Sequence, residues 1–165
     1  MDKKILDATC GGRSIWFDKN NPDTLYVDRR ELDAIQPTHN GDYHCHIHPD
    51  LIADFTDLPF EDNSFYLVVF DPPHLHFGNG WFADWLRTKY GDLSDDWRDV
   101  IRKGFEECWR VLKPNGTLIF KWNEVQIPTR EVIKAIGHDP LFGHRSGKKS
   151  QTHWMTFFKN EEDNT

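Results

Sequence analysis

Five short apolar runs alternate along the chain with segments of helical periodicity, and four of them carry an acid at or just past an end. The runs are Ile5-Leu6, Leu25 to Val27, Leu51 to Ala53, Phe65 to Phe70 and Thr117 to Phe120; the acids are Asp7, Asp28, Asp54 and Asp71. Strands that alternate with helices predict an α/β fold with a parallel sheet. Because strand propensity does not favour acids at strand ends, the pattern indicates a ligand site at the carboxyl edge of that sheet.

Helical periodicity is clearest after Ser94, which is predicted as an N-cap. The apolar positions that follow at helical spacing are Trp97, Val100, Ile101, Phe105, Cys108, Trp109 and Leu112. A Lys-Pro-Asn-Gly turn at 113–116 ends this helix, and a weaker helix is predicted over Thr129 to Ile136. Two closing strands, near Leu141-Phe142 and over Trp154 to Phe158, are joined by a basic loop at 143–149.

The composition predicts one domain in a reduced compartment. A length of 165 residues suits a single domain, expected over 1–159 with a polar tail at 160–165. Three widely spaced cysteines favour a reduced, cytoplasmic protein over a disulfide scaffold. No apolar run reaches about 18 residues, so no membrane span is expected. The net charge of −7 disfavours nonspecific coating of nucleic acid but leaves room for a local basic surface.

The run Phe65 to Phe70 leads directly into Asp71-Pro72-Pro73-His74. The two prolines supply no N–H groups and stiffen the turn, so a carboxylate and free carbonyls stand at the sheet edge. Such an acceptor-only turn suits an amino group that must be held while its nitrogen attacks. The alternative is an ordinary Asp-Pro turn after a strand.

Glycines follow the first strand in Asp7-Ala8-Thr9-Cys10-Gly11-Gly12, and Asp28 lies 21 residues after Asp7. Glycines let the backbone approach a ligand, and an acid at this distance can bind ribose hydroxyls. Asp54-Phe55 could in the same way accept from an adenine amine and pack on its ring. The alternatives are a glycine turn with a surface acid, and a helix N-cap with a core phenylalanine.

Together these elements resemble the class I S-adenosylmethionine (SAM)-dependent methyltransferases over about Lys4 to Lys159. The resemblance implies a Rossmann-like fold with a mostly parallel sheet of about seven strands and a C-terminal antiparallel hairpin; the segment 107–118 looks like the shared helix, turn and fifth strand. It implies SAM as the cofactor. The cofactor-binding residues would be Asp7, Thr9, Cys10, Gly11, Gly12, Arg13, Asp28, Asp54, Phe55 and Asp71.

The Asp71 to His74 segment resembles the Asp/Asn-Pro-Pro-aromatic loop of amino-group methyltransferases, with Asp71, Pro72, Pro73 and His74 in catalytic roles. An exocyclic amine is a poor nucleophile, and acceptance of its N–H bonds by Asp71 and the Pro72 carbonyl would localise its lone pair. His74 replaces the usual Tyr, Phe or Trp and can be protonated near neutral pH. Arg13 stands where a further glycine is common; it could pair with the cofactor's carboxylate or mark a weakened site.

An aromatic, glycine-hinged segment follows this loop. We expect His76, Phe77, Trp81 and Phe82 to bind the substrate, by holding an extruded base or gating the pocket. A hydrophobic patch under a loop is the alternative, particularly for Phe82 and Trp85. Upstream, His44, His46 and His48 would share one face of an extended strand. That pattern suits a solvated edge strand better than a metal site, and no metal is predicted.

These features predict a SAM-dependent N-methyltransferase that acts on an exocyclic amine, with adenine N6 in DNA as the favoured target. RNA is the first alternative, and a protein or small-molecule amine is the second. The chain lacks room for a target-recognition domain, so a specificity partner or a homo-oligomer is a further expectation. A module that binds the cofactor without catalysis is the alternative from a different class.

Overall fold

The parallel strands form the centre of one seven-stranded sheet in the computed structural model, which describes residues 3–38, 40–76, 78–145 and 151–161. The strands are β1 (Ile5–Asp7), β2 (Thr24–Asp28), β3 (Leu32–Gln36), β4 (Tyr43–Ile47), β5 (Leu51–Ile52), β6 (Phe65–Phe70), β7 (Leu112–Asn123), β8 (Phe142–Arg145) and β9 (Thr152–Phe158). The helices are α1 (Trp81–Tyr90), α2 (Trp97–Val111) and α3 (Thr129–Ile136).

The sheet order is β5-β2-β1-β6-β7-β9-β8, and only β9 runs against its neighbours. This confirms the predicted α/β class with a mostly parallel sheet and an antiparallel C-terminal pair. Since β1, β2 and β6 are parallel, Asp7, Asp28 and Asp71 come to the same edge. Register places Phe70 beside Phe120, which brings Asp71 next to Lys121 at that edge.

The core lies between α2 and the centre of the sheet. Phe105 of α2 packs against Phe120 and Phe157, with ring centroids 6.3 and 5.0 Å away, and all three side chains are buried. The buried Lys159 fastens the end of α2 to the last strand, because its Nζ donates to the carbonyls of Trp109 at 2.9 Å and Leu112 at 2.7 Å. Among the described helices, none is both long and apolar enough to span a membrane.

Several predicted boundaries are wrong. Helix α2 begins at Trp97, because Ser94 to Asp96 form a turn in which the Trp97 N–H donates to the Ser94 carbonyl at 3.1 Å. The 113–116 turn lies within β7, whose register with β6 shifts there, and Asn115 has φ +62°. Gly143 to Arg145, predicted as loop, belong to β8. The rest of the basic loop, 146–149, lies outside the described residues.

Two elements were not predicted. Helix α1 occupies the segment that the sequence suggested was a glycine-hinged loop, and it buries none of its residues. Strand β3 is the second: it pairs with β4, the extended strand expected at 43–48, in a separate antiparallel hairpin between β2 and β5.

At Gly104, helix α2 packs closely against the Phe55 and Phe70 rings beside the sheet. A Cβ there would lie 2.5 Å from Phe55 Cδ2 and 2.8 Å from Phe70 Cζ. Gly104→Val is therefore expected to lower the free energy of unfolding by about 3 kcal/mol through overpacking. Urea unfolding measures the change, with Lys103→Ala on the exposed side of the same helix as control. An unchanged midpoint for the valine variant would contradict this packing.

Candidate active site at the carboxyl edge of the sheet

A cavity of about 340 Å³ opens at the carboxyl ends of β1, β2 and β6, between the β3–β4 hairpin and the end of α1. Its lining includes ten of the predicted site residues: Thr9, Cys10, Gly11, Gly12, Asp28, Phe55, Asp71, Pro72, Pro73 and His74. Five cations also line it, namely Lys19, Arg29, Arg30, Lys89 and Lys121. Asp28 and Asp71 are the only acids among the described lining residues, so this part of the cavity is net positive in a chain of net charge −7.

The glycine loop crosses from β1 to β2 as a backbone wall. Its Ala8 and Cys10 amides donate to the carbonyls of Val69 and Val27 at 3.0 and 2.8 Å. Gly11 has φ +48° and donates to Asp28 Oδ2 at 2.9 Å, and a Cβ on it would meet no atom within 4 Å. A left-handed residue with open space before it lets a ligand approach the backbone closely.

Asp7 lies beneath this loop and does not line the cavity. It is buried, and its two oxygens accept from the Thr9 amide at 3.2 Å and from Trp16 Nε1 at 2.6 Å. Burial raises the pKa of Asp7 from 3.8 to about 7, against the opposing hydrogen bond from Trp16. The structure therefore gives Asp7 a role in supporting the loop.

The raised pKa of Asp7 predicts a pH dependence of stability. Between about pH 4 and 7 the folded chain binds the proton more tightly than the unfolded chain, so stability contributed by this group falls as pH rises through that window and levels off above it. Asp7→Asn cannot titrate, so its stability relative to the native chain is expected to improve by a few kcal/mol from pH 4 to 7. Urea unfolding at several pH values measures the difference, with the exposed Asp139→Asn as control. A pH-independent difference would contradict the prediction.

Asp28, predicted to bind ribose hydroxyls, is buried and paired with Arg30. The Arg30 Nε donates to Asp28 Oδ1 at 3.0 Å, and its Nη2 donates to Oδ2 at 3.2 Å. The Arg30 Nη1 donates to the Thr88 carbonyl at 3.1 Å. Arg30 therefore joins the acid at the end of β2 to helix α1 across the cavity.

Phe55 lines two neighbouring cavities, and Asp54 lines one of them. Phe55 is buried, packs against Phe70 with centroids 5.3 Å apart, and lines both the main cavity and a neighbouring one of about 460 Å³. Asp54 lines only the neighbouring cavity, and its Oδ1 accepts from the amide and hydroxyl of Thr56 at 2.9 and 2.8 Å. The described residues 55–64 form turns and no helix, so Asp54 is not a helix N-cap, whereas Phe55 is the core residue that this alternative expected.

The Asp71 to His74 turn forms the wall opposite Asp28. The Asp71 amide donates to Thr9 Oγ1 at 2.8 Å, which joins this turn to the glycine loop. Lys121 Nζ lies 2.5 Å from Asp71 Oδ2. Pro73 packs against Gly91, where a Cβ would lie 2.9 Å from Pro73 Cγ.

His74 lines the cavity with its ring edge-to-face against Trp122, at a centroid distance of 6.1 Å. Burial lowers the pKa of His74, while the charge of Asp71 acts in the opposite direction. The imidazole is therefore favoured in its neutral form at pH 7.

Other predicted residues lie away from the cavity lining. Arg13 packs over Tyr26 at 3.8 Å and donates to the carbonyls of Lys19 and His48 at 2.7 and 2.8 Å. His76 is bonded to Gln126 through its backbone. Trp81 and Phe82, at the start of α1, are 70% and 58% exposed. Phe77 lies outside the described residues.

Sequence reasoning missed the cations and the end of α1. Lys121 had a readable signal, since it is the charge that directly follows the apolar run Thr117 to Phe120. No local sequence signal identified Arg30 or the end of α1 (Lys89, Tyr90 and Gly91). These residues reach the cavity through contacts between distant parts of the chain.

The chain is similar to known methyltransferases over parts of its length. It is 29% identical over 122 residues to malonyl-(acyl-carrier protein) O-methyltransferase of Buchnera aphidicola subsp. Baizongia pistaciae, covering 70% of this chain and 38% of the relative. It is 42% identical over 60 residues to the type II methyltransferase M.HpaI of Haemophilus parainfluenzae, covering 35% and 17%. The chain thus spans well under half the length of these curated relatives. No protein-family model matches it.

Among solved structures, a SAM-dependent methyltransferase of Leishmania major superposes with a TM-score of 0.54 at 14% identity, over 96% of this chain and 65% of the other. The chain therefore has the Rossmann-like fold of class I methyltransferases, as its strand order independently indicates.

Proposed function

We propose that this chain is a SAM-dependent methyltransferase that acts on an exocyclic amine, with adenine N6 in DNA as the favoured target. The observation that carries the proposal is the position of the Asp71-Pro72 acceptors. They line the same cavity as the Gly11 loop and Asp28, at the edge of a sheet with this fold.

The lining fits the cofactor. A cavity of about 340 Å³ is within the range of small-molecule sites. Gly11 leaves open space for a ligand against the backbone, and the Phe55 ring suits an adenine. The Asp28 oxygens suit ribose hydroxyls, which would replace the Arg30 guanidinium as their donors. When bound, SAM supplies an electrophilic methyl group on a sulfonium.

Asp71 and Pro72 hold and activate the amine. The Asp71 carboxylate and the Pro72 carbonyl accept its two N–H bonds, which localises the nitrogen lone pair towards the methyl group. Lys121 pairs with Oδ2 of Asp71. None of the described side chains donates a hydrogen bond to Oδ1, so Oδ1 is left to accept from the substrate. The negative charge of Asp71 also stabilises the positive charge that develops on the nitrogen and accepts the proton that it loses.

His74 supplies a flat face beside these acceptors. Its ring is held by Trp122, and burial keeps it neutral, so it can stack on a heterocyclic base without opposing the charge on the reacting nitrogen.

A polyanion is the substrate class that the cations favour. Lys19, Arg29 and Lys89 are exposed at the cavity, where they can bind phosphates beside a base that has left its stack. RNA remains the first alternative to DNA, and a protein or small-molecule amine the second. A specificity partner or a second copy would supply sequence recognition.

A cofactor-binding module without catalysis is the second candidate. One ion pair favours it, because Lys121 engages Asp71, the carboxylate that the transfer step needs.

Calorimetry with SAM, followed by transfer of a labelled methyl group to DNA, RNA and protein fractions, tests the proposal. We expect micromolar or tighter cofactor binding, label in DNA, and N6-methyladenine after digestion to nucleosides. Failure to bind SAM would overturn the methyltransferase assignment. Binding without transfer to any fraction would favour the module.

A further inference from the structure

The β3–β4 hairpin carries a cluster of side chains that the proposed reaction does not use. Asp33 of β3 lies directly opposite His46 of β4 in the antiparallel register. Cys45 and Ile47 turn inward and are buried, whereas His46 points outward, and His48 follows just past the end of the strand. The outer face of the hairpin therefore presents the Asp33 carboxylate and three imidazoles, of which those of His46 and His48 contact Asp33.

Both imidazoles converge on the same carboxylate oxygen. His46 Nδ1 contacts Asp33 Oδ1, and His48 Nε2 lies 3.0 Å from that oxygen. One ligand atom from each of the three residues lies within 4.8 Å of the others. The two rings are stacked at 6.3 Å with an interplanar angle of 18°, so both nitrogens are presented from the same side of the hairpin.

This donor set matches a transition-metal site. Imidazole nitrogen and carboxylate oxygen bind zinc at about 2.0–2.2 Å, and a tetrahedral centre with such bonds places its ligand atoms roughly 3.3 Å apart. The three atoms lie within 4.8 Å of one another, so shifts of about an ångström at these exposed side chains would bring them to that spacing. Three protein ligands leave one position for water, in keeping with side chains that are 55–60% exposed.

We propose that Asp33, His46 and His48 form a binding site for a divalent transition metal of the zinc class. The metal cross-links β3 to β4. His46 also borders the cavity, and its carbonyl lies 3.3 Å from the Cβ position of Gly12, so the site braces a wall of the cavity without entering it. The hard cation Mg²⁺, which prefers six oxygen ligands, is not expected to bind here.

Equilibrium dialysis of the full chain, purified without a histidine tag and stripped with chelator, tests the site with Zn²⁺ as the probe. We expect one Zn²⁺ per chain, a rise in Tm of several degrees at saturating metal, and no response to Mg²⁺. Co²⁺ in the same site should give visible absorption bands of a four-coordinate centre.

Asp33→Asn, His46→Ala and His48→Ala should each weaken Zn²⁺ binding at least about tenfold. His44→Ala is the matched control, since His44 lies on the same strand and stacks on His46 at 5.7 Å but is not one of the three ligands. Native Zn²⁺ affinity in the three variants, or an equal loss in His44→Ala, would overturn the assignment. Absence of Zn²⁺ binding to the native chain would leave only a carboxylate hydrogen-bonded to two histidines.

Discussion

Asp71→Ala is expected to slow methyl transfer by about 10²–10³-fold, equivalent to about 3–4 kcal/mol of transition-state stabilisation. The variant loses the carboxylate that holds the amine and that faces the developing positive charge. Cofactor affinity should change little, because the Gly11 loop, Asp28 and Phe55 are untouched. The expected effect is therefore on kcat and not on SAM binding.

Single-turnover transfer of labelled methyl, with calorimetry on the same preparation, separates the two quantities. Asp139→Ala is a control for loss of one acid, since Asp139 is exposed and lies outside both cavities. Transfer at the native rate by Asp71→Ala would remove the proposed role of this residue. Loss of SAM binding would instead place Asp71 chiefly in the cofactor site.

Trp122→Ala is expected to lower the free energy of unfolding by about 3–5 kcal/mol. The side chain is fully buried, lies beside Phe120 at 6.1 Å, and donates from Nε1 to the Ile127 carbonyl at 2.9 Å. Alanine leaves a large cavity and an unpaired carbonyl. A fall in Tm of roughly 10 °C should follow for a chain of this length.

Calorimetric or circular-dichroism melting measures the change, with Trp81→Ala as the matched control. Trp81 is 70% exposed, so its removal should shift Tm by less than about 2 °C. Equal effects from the two substitutions would contradict the burial of Trp122. Because Trp122 also supports His74, transfer activity in Trp122→Ala should fall at temperatures where the variant is still folded.

The parallel sheet and the acids at its edge were predictable because their signals are local. Each strand is a short apolar run, and Asp7, Asp28 and Asp71 follow from sequence position once the strands are taken as parallel. The closing antiparallel pair was predictable for the same reason. The start of α2 was not, since Ser94 is a favourable cap by residue type, but the chain forms a turn there first.

Features that depend on distant contacts could not be read from the sequence. Arg30 reaches Thr88, 58 positions away, and its pairing with Asp28 is set by how α1 lies against the cavity. The alternation at 43–48 indicated the strand β4, but its pairing with β3 is a contact between two segments whose polar patterns do not specify each other. Helix α1 does carry apolar residues at helical spacing, namely Trp81, Phe82, Trp85 and Leu86, but the glycines before it favoured a loop and none of its residues is buried.

The hydrogen bonds from Arg30 to Asp28 and to Thr88 couple ligand binding at the end of β2 to the position of helix α1. A ligand that takes the oxygens of Asp28 competes with this guanidinium, and displacing it also removes a tie between β2 and α1. Binding of a ligand at Asp28 and movement of helix α1 are therefore thermodynamically linked. The coupling is reciprocal. A macromolecule that draws α1 away from the sheet changes the affinity of the ligand at Asp28 by some factor, and that ligand changes the affinity of the macromolecule by the same factor.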